Sequence, residues 1–196
     1  MKNWIIALLI VALVGLTGWV VYDKKSNSTP VNNSADNTSQ NSGSENSKQT
    51  SANVLDLSNK GITEITSDIY GKTDTTELIL SNNKLTSLKS EMGRMTKLQI
   101  LKVDHNQLEG SLIAEIRKMP LKTLDASNNN LTGVPAEIGQ ITTLESVDFS
   151  NNKIDTYPNE LLKLTQLKTL NLTGNPLTAQ QISEIKSKLP NTNIIF

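Results

Sequence analysis

The chain has 196 residues and carries 19 lysines and arginines against 19 aspartates and glutamates, so its formal net charge at pH 7 is zero. A balanced chain lacks the basic face with which proteins displace counterions from phosphates, so we expect no nucleic acid partner. The sequence contains no cysteine. This excludes disulfides, thiolate metal sites, a cysteine nucleophile and a lipid-modified cysteine anchor.

The chain begins with an apolar segment, residues 4–22, which contains no charged side chain. As a helix this segment would be roughly 28 Å long, close to the roughly 30 Å hydrocarbon core of a bilayer. Trp4, Trp19 and Tyr22 lie near its ends, where amphipathic rings favour the membrane interface. The pattern predicts a transmembrane signal anchor within residues 1–25. A cleaved signal peptide is the alternative, although the segment is longer than a typical signal-peptide core and lacks a clear cleavage site.

The positive-inside rule gives nearly equal support to both orientations of this anchor, because Lys2 precedes the segment and Lys24 and Lys25 follow it. We favour an extracellular position for the rest of the chain, since export machinery usually translocates a long polar chain that follows a hydrophobic amino terminus. A secreted protein is the alternative.

Residues 26–53 are dominated by serine, asparagine, threonine and glutamine. Such a segment cannot bury enough apolar surface to offset its chain entropy, so we predict a disordered linker. As a flexible coil it would span roughly 30 Å.

Residues 54–196 form the predicted folded domain and contain an internal repeat with a 23-residue step. Each unit follows the frame L-x-x-L-x-L-x-x-N-x-L. Its two-residue alternation predicts a short strand with one apolar face, and successive strands should stack as a parallel sheet. The asparagine amide has two donors and an acceptor, so it can satisfy buried backbone groups of a tight turn. This predicts a ladder of five asparagines: Asn83, Asn106, Asn129, Asn152 and Asn175.

The units resemble the leucine-rich repeat family. The third unit reads Leu98, Leu101, Val103, Asn106 and Leu108, and residues 131–139 look like the variable half of the bacterial and plant type of repeat. The resemblance implies an α/β solenoid, a horseshoe with a parallel β-sheet on its concave face, an irregular or short-helical convex side and a C-terminal capping helix. It also implies that the concave face binds partners.

The returns along the convex side are predicted to differ between units. Pro135 and Pro158 favour irregular or extended returns. The stretch from Leu112 to Met119 contains no proline or glycine and predicts a short helix that ends before Pro120.

Both ends of the repeat array are predicted to be capped. Thr178 and Gln181 match a capping box, and the helix that follows should stop at Pro190. Ile194 and Phe196 lie one residue out of the 23-residue step and predict a closing strand. We expect these features to shield the core and the sheet edge.

No catalytic constellation is evident in the sequence. His105, the sole histidine, is interpreted as an exposed turn residue. We predict no enzyme activity, no cofactor and no metal site. A weak cation site at Asp125 and Asp148, in adjacent repeats, is an alternative to the solvated face that we favour.

The outward strand positions are small and polar and include no aromatic residue. They predict weak or multivalent binding of a protein or surface glycan by a monomer. A structural spacer without a specific ligand is the alternative. The predicted partner-binding residues are Glu77, Ile79, Ile100, Lys102, Asp104, Thr123, Asp125, Ser146, Asp148 and Asn171.

Overall fold

Short parallel strands dominate the computed structural model, which describes residues 53–196. The predicted anchor at residues 1–25 and the predicted linker up to residue 52 lie outside the described residues. Within residues 53–196 no helix is both long and apolar enough to cross a membrane. The described strands are β1 (Val54–Asp56), β2 (Glu77–Ile79), β3 (Ile100–Lys102), β4 (Glu109–Gly110), β5 (Thr123–Asp125), β6 (Asn130–Leu131), β7 (Ser146–Asp148), β8 (Thr169–Asn171) and β9 (Asn193–Ile195).

Seven of these strands form the main sheet, which follows chain order, and β4 pairs only with β6. From β1 to β8 the register keeps the 23-residue step, as in the pairing of Ile100 with Thr123. β9 pairs one residue out of step, with Thr169 opposite Asn193. The predicted parallel sheet and closing strand are confirmed.

The alternation within each strand separates core from surface. In β2, β3, β5, β7 and β8 the central residue is fully or almost fully buried, whereas its two neighbours are half-exposed. The repeating leucines and related residues therefore form one continuous core along the sheet. No unit could bury these side chains alone, because each needs the neighbouring unit as its partner.

The predicted asparagine ladder is confirmed. The Oδ1 atom of Asn129 accepts a 2.9 Å hydrogen bond from the Leu108 N–H of the preceding unit. Its Nδ2 group donates to the carbonyls of Val103, Ala126 and Ser127. Each ladder residue thus satisfies buried backbone groups in its own unit and in the preceding one. The pattern recurs at Asn83, Asn106, Asn152 and Asn175.

The residue before each ladder position has a left-handed backbone. Glycine and asparagine adopt this conformation most readily, and other side chains are strained there. His105 has a φ of 51° and an exposed side chain, as predicted for a turn residue. The equivalent positions are Asn59, Asn82, Asn128, Asn151 and Gly174.

Short helical turns form the convex side, as the family resemblance implied. After α1 (Ser67–Tyr70) come 3₁₀ helices at Ser90–Arg94, Ala114–Lys118, Ala136–Gln140 and Leu161–Lys163. The predicted difference between the third unit and its neighbours is wrong, because Ala114–Lys118 and Ala136–Gln140 are both five-residue 3₁₀ helices.

Proline does not prevent these short turns. Pro135 immediately precedes the helix at Ala136–Gln140, and its carbonyl accepts a hydrogen bond from the Ile138 N–H. A proline is tolerated at a helix start, where its missing N–H would have no intrahelical partner. Neighbouring turns pack closely, since a Cβ on Gly139 would lie 2.7 Å from the Glu160 carbonyl oxygen.

The predicted capping helix is α2 (Ala179–Lys188), and its capping box is present at Thr178 and Gln181. The last repeat is shielded as expected, because β9 pairs with β8 and the core side chains of β8 are buried. Val54 in β1 and Ile195 in β9 are 48% and 41% exposed, the two exposed large hydrophobic residues of the part that the structure describes. Each lies on a terminal strand, which has a neighbour on one side only among residues 53–196.

Replacing Asn129 with alanine should lower the free energy of unfolding by about 3 kcal/mol, because the Leu108 N–H and neighbouring carbonyls would lose their buried partner. Urea denaturation would measure this change. The matched control is Asn159→Ala, since Asn159 is exposed on the convex side, and we expect a change within about 0.5 kcal/mol. Equal effects would contradict a structural role for the ladder.

Candidate functional site

The concave face is the surface of the main sheet that carries the outward side chains. Each of the six repeats contributes two outward strand residues and a third that follows the strand. All ten predicted partner-binding residues lie on this face and are half-exposed. The three columns are Val54, Glu77, Ile100, Thr123, Ser146 and Thr169; Asp56, Ile79, Lys102, Asp125, Asp148 and Asn171; and Ser58, Ser81, Asp104, Ser127, Ser150 and Thr173.

The aspartate and asparagine side chains of the second column have a structural role that was not predicted from the sequence. Asp125 accepts hydrogen bonds through Oδ1 from the Ser127 N–H and hydroxyl, at 3.0 and 2.8 Å. Asp148 accepts a 2.8 Å bond from the Ser150 N–H in the same way. These side chains end the strand by capturing the backbone two residues later. This role could have been predicted from an Asp-x-Ser or Asn-x-Thr pattern in the sequence, which begins at Asp56, Asp125, Asp148 and Asn171.

Hydrogen bonds between repeats also order the concave face. The Asn171 amide donates to Asp148 Oδ2 at 2.9 Å, and Lys102 pairs with Glu77 at 3.2 Å. The Ser81 hydroxyl donates to Asp104 Oδ1. On the other side of that carboxylate, His105 Nδ1 lies 2.9 Å from Oδ2. The polar side chains are therefore held in place before any ligand arrives.

The charge of the concave face is unbalanced although the whole chain is neutral. Lys102 is the sole basic residue among the outward positions. Burial raises the pKa of Asp125, and the nearby charges of Asp104 and Asp148 add to this effect, while hydrogen bonds from Ser127 oppose it. The carboxylates of Asp104, Asp125 and Asp148 are thus close enough to repel one another. Asp56 and Glu77 are the other two carboxylates of the concave face.

The part of the chain that the structure describes was searched for metal-binding and catalytic groups of side chains. Among residues 53–196, no group of three or more histidine, aspartate or glutamate side chains is placed to hold a metal ion. Two clefts of about 420 and 380 Å³ lie at the N-terminal end of the solenoid, and the smaller one includes Val54 of the concave face. The larger is lined by Ile65, Tyr70 and Lys89 among others, a set without a recognisable catalytic pair.

Comparisons with known proteins agree with this architecture. A family model described as leucine rich repeat matches residues 120–177. A solved leucine-rich repeat protein from Leptospira interrogans is 30% identical with a TM-score of 0.70, and the match covers 73% of this chain and 36% of that protein. An internalin from Listeria monocytogenes is 23% identical with a TM-score of 0.58, covering 67% of this chain and 37% of the internalin.

The second likeness concerns the fold alone. The chain spans little more than a third of the length of either protein. No curated protein matches the chain significantly. Together with the stacked parallel sheet, these matches establish the leucine-rich repeat fold.

Asp125→Asn should increase the free energy of unfolding at pH 7. The raised pKa means that the folded state binds this proton more tightly than the unfolded state does. The carboxylate therefore costs stability as pH rises above its ordinary pKa of 3.8, and the gain from asparagine should disappear below that pH. Urea denaturation at pH 3 and pH 7 would measure it. The exposed Asp155→Asn variant is the control, and an equal gain at both pH values would contradict this origin.

Proposed function

We propose that this leucine-rich repeat solenoid is a non-enzymatic binding module that holds the basic surface of a protein partner against its concave face. Solenoids generally use such extended concave surfaces for binding. The observation that carries the proposal is the imbalance of five carboxylates against one lysine on an ordered surface of a neutral chain. Complementary charge steers association and fixes the relative orientation of two proteins.

The order of the concave face favours this mode of binding. Asp125 and Asp148 are held by Ser127 and Ser150, so little side-chain entropy would be lost when a partner docks. Tight interfaces usually concentrate their energy in tryptophan, tyrosine and arginine, and none of the outward positions of the six repeats is one of these. We therefore expect moderate affinity that falls as salt concentration rises.

A structural spacer is the second candidate function. The same hydrogen bonds give Asp125 and Asp148 a task in ending their strands that requires no ligand. A spacer and a binding module differ in whether the charge of these residues affects any partner, so the two can be separated by conservative substitution.

Residues 4–22 would tether the repeats to a membrane in this proposal, with the repeats outside the cell. The support is the uncharged apolar sequence followed by a long polar stretch. Cleavage of the segment and secretion of the repeats is the alternative. A tether of roughly 30 Å would let the concave face meet partners away from the membrane surface.

The double variant Asp125→Asn, Asp148→Asn should weaken partner binding by about tenfold at low salt, since two exposed charge pairs would be lost. Asparagine keeps the Oδ1 acceptor that ends each strand, so the fold should be retained. Partners would be captured from the source cells with the full chain, and the recovered protein titrated against each variant. The control is Glu91→Gln, Asp155→Asn, which removes two exposed carboxylates elsewhere. Equal affinity for both variants would favour the spacer.

External protease on intact source cells should digest the repeats if they lie outside the cell, and the amino terminus of the mature protein should retain residues 4–22. Immunoblotting and amino-terminal sequencing would provide the two readings. Repeats that resist the protease until the membrane is opened would contradict the proposed side. A mature protein that begins after Tyr22 would instead support secretion.

A further inference from the structure

The two ends of the main sheet are less completely buried than its middle. Val54, at the first position of the concave face, and Ile195 in β9 are exposed. Behind them, the inward-facing residues of the terminal strands are only partly buried, unlike their equivalents in the middle of the sheet: Leu55, Leu57, Ile194 and Phe196. Incomplete burial is thus found at both ends of the stack.

The backbone of each terminal strand is paired on one side. The Asn53 carbonyl accepts from the Glu77 N–H, and the Leu57 N–H donates to Ile79, so the groups of Val54 and Asp56 point away from β2. At the other end, the Asn193 N–H donates to the Lys168 carbonyl. The Ile195 carbonyl accepts from the Leu172 N–H, so the groups of Ile194 point away from β8. No strand within residues 53–196 pairs with either outer edge.

We propose that two copies of this chain associate head to tail, with β9 of one copy pairing in parallel with β1 of the next. If the register inside the sheet continues, Asn193 lies beside Val54 and Ile195 beside Asp56. The Ile194 N–H would then donate to the Val54 carbonyl, and the Ile194 carbonyl would accept from the Asp56 N–H. Continuing the stack in this way would also cover Leu55 and Leu57 with Ile194 and Phe196.

The convex sides of the two copies are compatible with this joint. α2 belongs to the unit of β8 and α1 to the unit of β1, so in this joint α2 of one copy and α1 of the next would be separated by two strand spacings, about 10 Å. Helices pack at 8–10 Å, so the two helices could contact each other directly.

The net charges of these two helices are opposite in sign, although α2 also carries Glu184. The last turn of α2 carries Lys186 and Lys188, and the first turn of α1 carries Asp68. Within residues 53–196 none of the three forms an ion pair. The Lys186 ammonium lies 5.4 Å from the centroid of the Phe196 ring, beside the outer strand. A second copy would therefore place the acidic first turn of its α1 near the basic last turn of α2.

The second copy is required because one chain cannot make this contact with itself. β1 and β9 are six strand spacings apart, roughly 29 Å. The contact uses different surfaces on the two copies, so it can propagate from copy to copy. This would replace the expected monomer with a short linear array.

A pair of cysteines would test the proposed register in the full chain, which has no cysteine of its own. The variant Val54→Cys, Asn193→Cys places the two thiols on directly opposed residues, about 4.8 Å apart between Cα atoms and within disulfide range. The matched control is Val54→Cys, Ile195→Cys, whose residues would be diagonal and about 8 Å apart, too far for a disulfide. Mild oxidation followed by non-reducing electrophoresis would trap even brief pairing.

We expect a ladder of dimers, trimers and larger species for the opposed pair and monomers for the diagonal pair. A mixture of the two single variants, Val54→Cys and Asn193→Cys, should stop at the dimer. Adding Asp68→Lys to the opposed pair should lower the yield of oligomers about two- to fivefold through charge repulsion. Monomers from the opposed pair, or equal ladders from both pairs, would overturn the proposal.

Discussion

The solenoid depends on hydrogen bonds to the backbone groups at the turn after each strand. A strand of three residues must be followed by a sharp change of direction, and the groups exposed by that turn lie inside the stack, away from water. An unpaired buried backbone group costs about as much as a lost hydrogen bond. Asn129 and its equivalents pair these groups and join each unit to the one before. The left-handed residue that precedes each ladder position directs the asparagine inward.

The ladder leaves the outward strand positions free to vary, and this chain uses them in two ways. Aspartate or asparagine ends the strand at four of the six positions of the second column, whereas Ile79 and Lys102 occupy the other two. The strand-ending residues supply three of the five carboxylates of the concave face, where Lys102 alone offsets them and is itself paired with Glu77. Part of the negative surface therefore follows from the way the strands end. Recognition would depend on charge and pre-ordered geometry rather than on large apolar anchors.

Features that recur in every unit could be predicted from the sequence, because repetition shows which residue types a position requires. The sheet, its register, the ladder and the capping helix were predictable for that reason. The return around Pro135 was misjudged because proline restrains one residue, whereas packing between Gly139 and Glu160 determines how close the turns lie. The strand-ending role of Asp125 was missed because its short-range hydrogen bond to Ser127 leaves only a weak pattern. The exposure of the outermost strands could not be predicted, since the repeat pattern specifies contacts between neighbouring units and not the burial of a strand that has one neighbour.

At the two ends of the stack, the terminal strand lacks one of the two neighbours that every internal strand has. Inside the chain, each strand satisfies its neighbour's backbone and covers its neighbour's apolar face in a single step. Among residues 53–196, β1 and β9 are each paired and covered on one side only, and their outer surfaces match in hydrogen-bond pattern and charge. Joining them would repeat between copies the contact already made between units. It would also place several acidic concave faces side by side, so that weak charge-based contacts with one partner surface would act together, and the moderate affinity of one face would become multivalent binding.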